Sequence, residues 1–315
     1  MRAATITGTE LQLRDRPTPE PGPMDVVVTV RAAGINAADL LQRRGFYPAP
    51  PGWPSDIPGI EMAGVVSDVG SEVHLPLLGR RVCAIVGGGG HATHCVVPSE
   101  HLVYVPDNVA WEQAGGFAEV FTTAHDALVT QGRLQANERV LISGANGGVG
   151  TAAIQIAHAI GAYVIAVTRT SEHHEKLRSL GADETRTLDE VPSLKHVDVI
   201  LELVGAAHLS LAQEILAAKA RVVVIGLTGG RTVELDLMRI MSLRATLTGS
   251  TLRARSREEK TEVVERVNEW LVPRWADGEL RVPLAKPFEL DDIKDAYEYF
   301  AAPGKFGKVV MLTNQ

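Results

Sequence analysis

The run Ser143-Gly-Ala-Asn-Gly-Gly-Val-Gly150 has the residue types and spacing to hold a dinucleotide pyrophosphate. Ala145, Gly147 and Gly150 fit G/A-x-G-x-x-G. Small residues there allow a tight turn, close approach of backbone to phosphate, and close packing of a helix on a strand. Asn146, Gly148 and Val149 fill the intervening positions and place backbone N–H groups at a helix start, which favours an anion. An ordinary glycine-rich strand-to-helix turn would look similar, so the flanks matter. The apolar strand Arg139-Val-Leu-Ile-Ser143 precedes the run, and Val149, Ala152, Ala153, Ile156 and Ile160 then recur on one helical face. Both flanks suit a dinucleotide site.

A second segment bears on which dinucleotide. The next strand ends Ala166-Val-Thr-Arg-Thr-Ser171, with no acid at its tip. NAD-specific folds place an Asp or Glu there to bind the ribose diol. Arg169 is instead suited to a 2′-phosphate, with the Thr168, Thr170 and Ser171 hydroxyls nearby and His173 adding charge when protonated. NADPH is therefore expected over NADH. The competing reading of Arg169 is a solvated loop charge paired with Glu172.

These residues need elements to position them. From Trp111 helical and strand signals alternate: helix 111–130, strand 140–143, helix 149–160, strand 163–168, helix 172–180, strand 197–203, helix 209–218, strand 221–225 and strand 245–250. Such alternation predicts a parallel doubly wound sheet. Val204 and Gly205 follow one strand and Gly226 and Leu227 the next, at carboxyl ends where cofactors bind in open α/β sheets. The first hundred residues carry Gly, Pro and short β-like runs and predict a mostly β domain. A helix over 257–276, another over 291–300 and a strand over 308–312 complete the chain.

At 315 residues, one large or two ordinary domains are expected. A hydrophobic share of 45% and a charged share of 22% are those of a globular protein. The net charge of −7 argues against broad binding to nucleic acid or anionic membranes. No apolar run approaches the roughly 18 residues of a membrane helix, and the first residues lack a signal-peptide pattern. With only Cys83 and Cys95, a cytoplasmic protein without a disulfide framework is expected.

The chain resembles the medium-chain dehydrogenase/reductase superfamily, and within it the zinc-free, zeta-crystallin-like quinone oxidoreductases. The residues that carry the resemblance are Ala33-Gly-Ile-Asn-Ala-Ala-Asp39, Gly45-Phe-Tyr-Pro-Ala-Pro-Pro-Gly52, Pro58-Gly-Ile-Glu-Met-Ala-Gly-Val-Val66, Gly144–Gly150, Leu180-Gly-Ala182 and Gly304-Lys-Phe-Gly-Lys308. Their order spans nearly the whole chain. The resemblance implies an α/β fold: a Rossmann sheet (residues 119–285) inserted into a mostly β, GroES-like catalytic domain (1–118 and 286–315). The ligands of the superfamily's zinc enzymes correspond by position to Asn36, Ile60 and Glu119, a set that cannot build a zinc site. Read as one strand, His91 and Cys95 lie about 13 Å apart, with His94 on the other face. No metal is expected.

Without zinc, hydrogen bonds must polarise the acceptor, which suits a quinone or another conjugated carbonyl. The resemblance implies that Asn36 and Tyr47 line the reacting centre, Asn36 orienting and Tyr47 donating to the acceptor oxygen. It places Thr123, Val204, Gly205, Gly226, Leu227, Ser250, Leu252 and Lys308 near the cofactor, and it implies a homodimer, here assigned to the strand 245–250. Glu61 reads as structural, and Arg253-Ala-Arg255-Ser-Arg257 as a mixed-charge helix entry, with binding of a phosphorylated substrate as the alternative. Two other functions stay open: an enoyl-thioester or alkenal double-bond reductase, and a non-catalytic NADPH-binding protein.

Overall fold

The computed structural model describes residues 1–313, within which the chain forms two compact units. One comprises residues 1–122 with the chain from Leu252 onward, and the other is Thr123–Thr251. In chain order the strands are β1 (Arg2–Thr7), β2 (Glu10–Asp15), β3 (Asp25–Gly34), β4 (Glu61–Val69), β5 (Arg81–Ile85), β6 (His94–Pro98) and β7 (Val103–Tyr104). β8 (Arg139–Ile142), β9 (Tyr163–Thr168), β10 (Glu184–Thr187), β11 (Val197–Glu202), β12 (Leu216–Val224) and β13 (Thr246–Gly249) belong to the second unit. β14 (Leu284–Glu289) and β15 (Lys308–Leu312) return to the first.

In the first unit the sheet runs β14-β15-β3-β4-β5-β7, with β6 also paired to β3. Its core is built from Val26, Val28 and Val30 of β3 with Met62, Val66, Val82 and Val97 from its partners. Alternate side chains of a strand share a face, so the valine-rich β3 can pack one face with branched residues. Pro287 hid β14 from the sequence reading. A proline cannot donate to a ladder, and β14 accommodates it as an edge strand paired only with β15.

The helix Arg257–Ala276 also belongs to this unit, which moves the second boundary from the expected 285 to 251. A capping box starts it: Ser256 Oγ accepts from the Glu259 N–H at 3.2 Å, and Glu259 Oε2 accepts from the Ser256 N–H at 2.9 Å. Its apolar face buries Val263, Val264, Val267, Leu271 and Trp275, and Trp275 stacks on Phe117 with centroids 3.7 Å apart. Asn268 adds a polar clasp, accepting from the Tyr104 N–H and donating to the Leu102 carbonyl. These partners all lie in the first unit, so the helix follows its buried face rather than its neighbours in sequence.

The second unit is a six-stranded, all-parallel sheet in the order β10-β9-β8-β11-β12-β13. The chain winds outward from β8 to one side, then returns and winds outward from β11 to the other. The switch therefore falls between β8 and β11, where open α/β sheets bind ligands at the strands' carboxyl ends. The expected helix over 209–218 is shorter, Ala206–Ala212. Leu216 pairs instead with Val197 as β12 begins, so sheet pairing overrides the helical propensity of Ala217-Ala218. The expected helix over 111–130 is broken into Trp111–Ala114 and Ala118–His125, followed by π-helical turns over Asp126–Gln131.

Candidate active site

In the first unit, three polar side chains meet beneath the start of the helix Ala37–Arg43. Lys308 Nζ lies 2.5 Å from Glu61 Oε1, and both side chains are almost wholly buried. Lys308 also donates to Asn36 Oδ1 at 2.8 Å and to the Ile35 carbonyl at 3.0 Å. Asn36 Nδ2 donates to Glu61 Oε1 at 2.9 Å, and Glu61 Oε2 accepts from the Glu119 N–H at 2.9 Å. Gly34 makes room, because a Cβ there would fall 2.2 Å from Glu61 Oε1. The Asn36 backbone is fixed separately: Asp39 Oδ2 accepts its N–H at 2.8 Å, while Asp39 Oδ1 takes the Gly59 and Ile60 N–H groups. Lys308 was expected beside the cofactor. Its three N–H groups are spent on internal acceptors, so it serves a buried ion pair instead.

Tyr47 stands in a loop held by Arg253. The guanidinium donates to the Tyr47 carbonyl at 3.0 Å and lies over the Tyr47 ring, 4.8 Å from its centroid. It also donates to Gly87 O at 2.6 Å and to Gln42 Oε1 at 2.5 Å, the latter on the helix that Asn36 begins. Burial raises the Tyr47 phenol above its ordinary pKa, against the pull of Arg253 and with a push from Glu119. It is therefore a protonated donor at neutral pH. Arg253 was read with Arg255 and Arg257 as a mixed-charge helix entry, with binding of a phosphorylated substrate as the alternative. Arg253 is buried, and Arg257 binds Glu100 and Asp25, so neither is placed as a free anion receptor.

The positions read as possible metal ligands are otherwise employed. Ile60 is buried and apolar. Strand β6 begins only at His94, so His91 does not share it as expected. His91 Nε2 faces the Gly34 carbonyl at 3.1 Å, and Nδ1 faces the Tyr297 hydroxyl at 2.9 Å. A carbonyl can only accept, so Nε2 carries a proton, and in the neutral ring Nδ1 is the acceptor for Tyr297. Burial pushes the Cys95 thiol up to about 12. A dication would also meet the Lys308 ammonium. These residues do not fit a zinc site.

In the second unit, the helix Gly148–Ile160 opens at Gly147 with no side-chain cap and no acid in its first turn. Its leading N–H groups are thus left without a side-chain cap, the arrangement an anion site needs. Gly150 is required for the close approach: a Cβ would fall 2.6 Å from Ala145 Cα and 2.7 Å from the Gly144 and Ala145 carbonyl oxygens. At Gly147 an added Cβ would meet only Gly144 O, at 3.4 Å, and would intrude on the space over the turn. The turn lies beside the tip of β9, since the Ala145 N–H donates to Val167 O. At that tip Arg169 and Thr170 are exposed, and Arg169 has no ion-pair partner among the described residues. The set fits a phosphorylated dinucleotide. His173 departs from its expected place at the 2′-phosphate: it is buried in the 3₁₀ turn Ser171–His173. Thr168 is buried too and donates to the Thr170 carbonyl, shaping the loop from within.

Across the switch point, Ser143 Oγ at the end of β8 donates to Glu202 Oε1 at the end of β11, at 2.8 Å. Glu202 Oε1 also accepts the Val204 and Gly205 N–H groups, each at 2.8 Å, and Oε2 meets His208 Nδ1. Against the upward push of burial, these partners hold the Glu202 carboxyl below its usual range. Gly226 joins the same edge, its N–H donating to Glu202 O. Leu227 is exposed, Thr123 is buried in the helix Ala118–His125, and Ser250 Oγ donates to Asp126 Oδ2 at 3.0 Å. Leu252 is buried and falls within the first unit. The sequence reading missed Gln42 and Glu202, and it gave Ser143 and Arg253 none of the bonds described here. A lone acid in the apolar run Ile60-Glu61-Met62 and a lone Lys before Val309-Val310-Met311 are the signals that could have paired Glu61 with Lys308.

Residues 22–132 match the alcohol dehydrogenase GroES-like domain, and residues 148–269 match the zinc-binding dehydrogenase domain. Human quinone oxidoreductase is 29% identical, over 96% of this chain and 93% of that protein. The quinone oxidoreductase-like protein 2 homolog of Nematostella vectensis is 30% identical, over 93% of this chain and 83% of its own. The quinone oxidoreductase of Thermus thermophilus, also solved in complex with NADPH, superposes with a TM-score of 0.85 at 32% identity, over 99% of this chain and 100% of that one. No helix among the described residues is long and apolar enough to cross a membrane. With a GroES-like unit, a Rossmann unit and relatives of this kind, the chain is an oxidoreductase of the medium-chain dehydrogenase/reductase family, in its quinone oxidoreductase-like branch.

Proposed function

We propose that this protein is an NADPH-dependent, zinc-independent reductase of quinones or other conjugated carbonyls. The observation that carries the reading is the donor set around Asn36. Where a zinc enzyme needs ligands, this chain has the Asn36 amide, Glu119 and the buried Ile60, and the Lys308 ammonium lies 2.8 Å from the amide oxygen. When bound, NADPH supplies a hydride from its nicotinamide ring. The Gly148 and Val149 N–H groups hold the pyrophosphate, and Arg169 with Thr170 meets the 2′-phosphate. Thr123, Val204, Gly205, Gly226, Leu227 and Ser250 complete the cofactor's surroundings in this reading. Asn36 Nδ2 and the Tyr47 hydroxyl donate to the oxygen that gains charge, and Tyr47 or water delivers the proton. Reduction of a conjugated acceptor spreads that charge, so a few fixed donors suffice.

The test is NADPH oxidation with a benzoquinone, a naphthoquinone, an ortho-quinone, a 2-alkenal and an enoyl-thioester, with NADH and chelator controls. Chelator-insensitive turnover of quinones is expected. Turnover of the alkenes alone would assign a double-bond reductase, and NADPH binding without turnover a non-catalytic role. We also propose a homodimer through β13. It is an edge strand, and the neighbouring helix Leu237–Leu243 exposes Leu237, Met238 and Met241 by 75, 67 and 65%. Large apolar side chains beside an open edge favour a second copy. A monomer mass by light scattering would end this proposal.

A further inference from the structure

We propose that Lys308 and Glu61 are positioning residues that decide which end of the Asn36 amide meets the acceptor. The inference rests on the reading above, in which Asn36 touches the substrate. An asparagine amide presents an oxygen or an NH2 group according to a half-turn about its last bond, and its partners choose between them. Both neighbours of Asn36 choose alike. The Lys308 ammonium can only donate and lies 2.8 Å from Oδ1. The Glu61 carboxylate can only accept and lies 2.9 Å from Nδ2. The inverted amide would set N–H against ammonium and oxygen against carboxylate at the same distances. One Nδ2 proton is spent on Glu61, which leaves the second as the donor that Asn36 offers on its partly exposed side.

The pair does more than orient. An ammonium that donates to an amide oxygen draws density from the nitrogen and strengthens the remaining N–H as a donor. Lys308 is 2% exposed and cannot itself touch an acceptor, yet its charge reaches one through the conjugated amide. Glu61 keeps that charge in place: its Oε2 is tied to the Glu119 N–H, so the carboxylate cannot swing away.

The experiment is a double-mutant cycle on the full chain, using the acceptor that the wild type turns over best. Asn36→Ala, Lys308→Met and the double variant are compared in kcat at saturating NADPH, with NADPH Kd from nicotinamide fluorescence and the urea midpoint from tryptophan fluorescence as the checks on folding of the two units. Each single variant should lose about 10- to 100-fold in kcat with Kd changed less than about twofold. The double variant should be no slower than Asn36→Ala alone, because Lys308 acts only through Asn36. Losses that multiply, or Lys308→Met at the wild-type rate beside an impaired Asn36→Ala, would overturn the proposal. Asn36→Ala at the wild-type rate would instead remove Asn36 from the reacting centre. If Lys308→Met does not bind NADPH, Glu61→Gln takes its place: slower in the wild-type background and silent in Asn36→Ala is the expected result, and equal slowing in both backgrounds refutes it. A readout independent of turnover is hydrogen exchange at the Asn36 side-chain amide by NMR. It should quicken in the variant that loses the pair and stay unchanged if the pair does not hold the amide.

Discussion

Replacing Arg253 by Met should destabilise the first unit by about 2–4 kcal/mol. Met keeps the aliphatic stem but ends short of the guanidinium, so a cavity of about three heavy atoms remains as a secondary cost. The main loss comes from stranded acceptors. Gly87 O takes two N–H groups, at 2.6 and 3.1 Å, Tyr47 O takes one at 3.0 Å, and Gln42 Oε1 takes one at 2.5 Å. Each buried acceptor left without a donor costs about 1–3 kcal/mol, or about 2–6 for Gly87 O and Gln42 Oε1, and the part-buried Tyr47 O adds less. Several kcal/mol come back, because the variant no longer buries a cation. That offset is real here: the acceptors are neutral, and burial lowers the Arg253 pKa despite Tyr47, Asp39 and Glu119. Urea unfolding followed by tryptophan fluorescence is the assay. All four tryptophans, Trp53, Trp111, Trp270 and Trp275, lie in the first unit, so the signal reports that unit alone. Trp53 packs directly on Gly87, where a Cβ would fall 2.4 Å from its ring. The midpoint should fall with an unchanged slope. A variant within about 0.5 kcal/mol of wild type would refute the claim that these bonds fix the Tyr47 loop.

Arg169→Ala should raise the KM for NADPH by about 10- to 100-fold, the loss of a charge-assisted contact, and leave the KM for NADH near wild type. Equal effects in steady-state kinetics would remove Arg169 from the 2′-phosphate. Gly150→Ala drives a methyl into backbone rather than side chain, and should cost about 1–3 kcal/mol by calorimetry while weakening NADPH binding. Unchanged melting and affinity would contradict the close approach. Arg257 holds the Glu100 carboxyl at about 2, far below its ordinary 4.5. A depressed carboxylate stabilises fully above the unfolded value and loses that contribution as pH falls from about 4.5 toward about 2. The pair is partly exposed, so the contribution is about 0.5–1 kcal/mol, and Glu100→Gln should flatten that part of the pH–stability curve by this amount.

How much of this was legible in the sequence depended on the range of the interaction. The turn over 143–150 and the strands beside it are local patterns, and β8 and the helix Gly148–Ile160 stand where periodicity put them. The helix Arg257–Ala276 was equally plain as a helix, but its allegiance was not. Its partners Phe117 and Tyr104 are more than 150 residues away, and nothing in its own pattern names them. Lys308 failed for the same reason. A lone cation beside apolar residues suits an exposed edge, a ligand contact or a buried pair, and only its distance to Glu61 separates them. His173 shows a different limit: one residue along a 3₁₀ turn exchanges an exposed side chain for a buried one, finer than pattern reading resolves.

The bond from Ser143 to Glu202 joins two loops that the chain reaches some sixty residues apart. Because Glu202 also grips the Val204 and Gly205 amides, the chain after β8 and the chain after β11 are tied to one carboxylate. A flexible loop must surrender conformational entropy when a ligand orders it, roughly 1–2 kcal/mol for each backbone residue fixed. Here that entropy was surrendered on folding, before any ligand arrives. The surface offered at the switch point is thus preorganised, and association with it should carry a small entropic penalty.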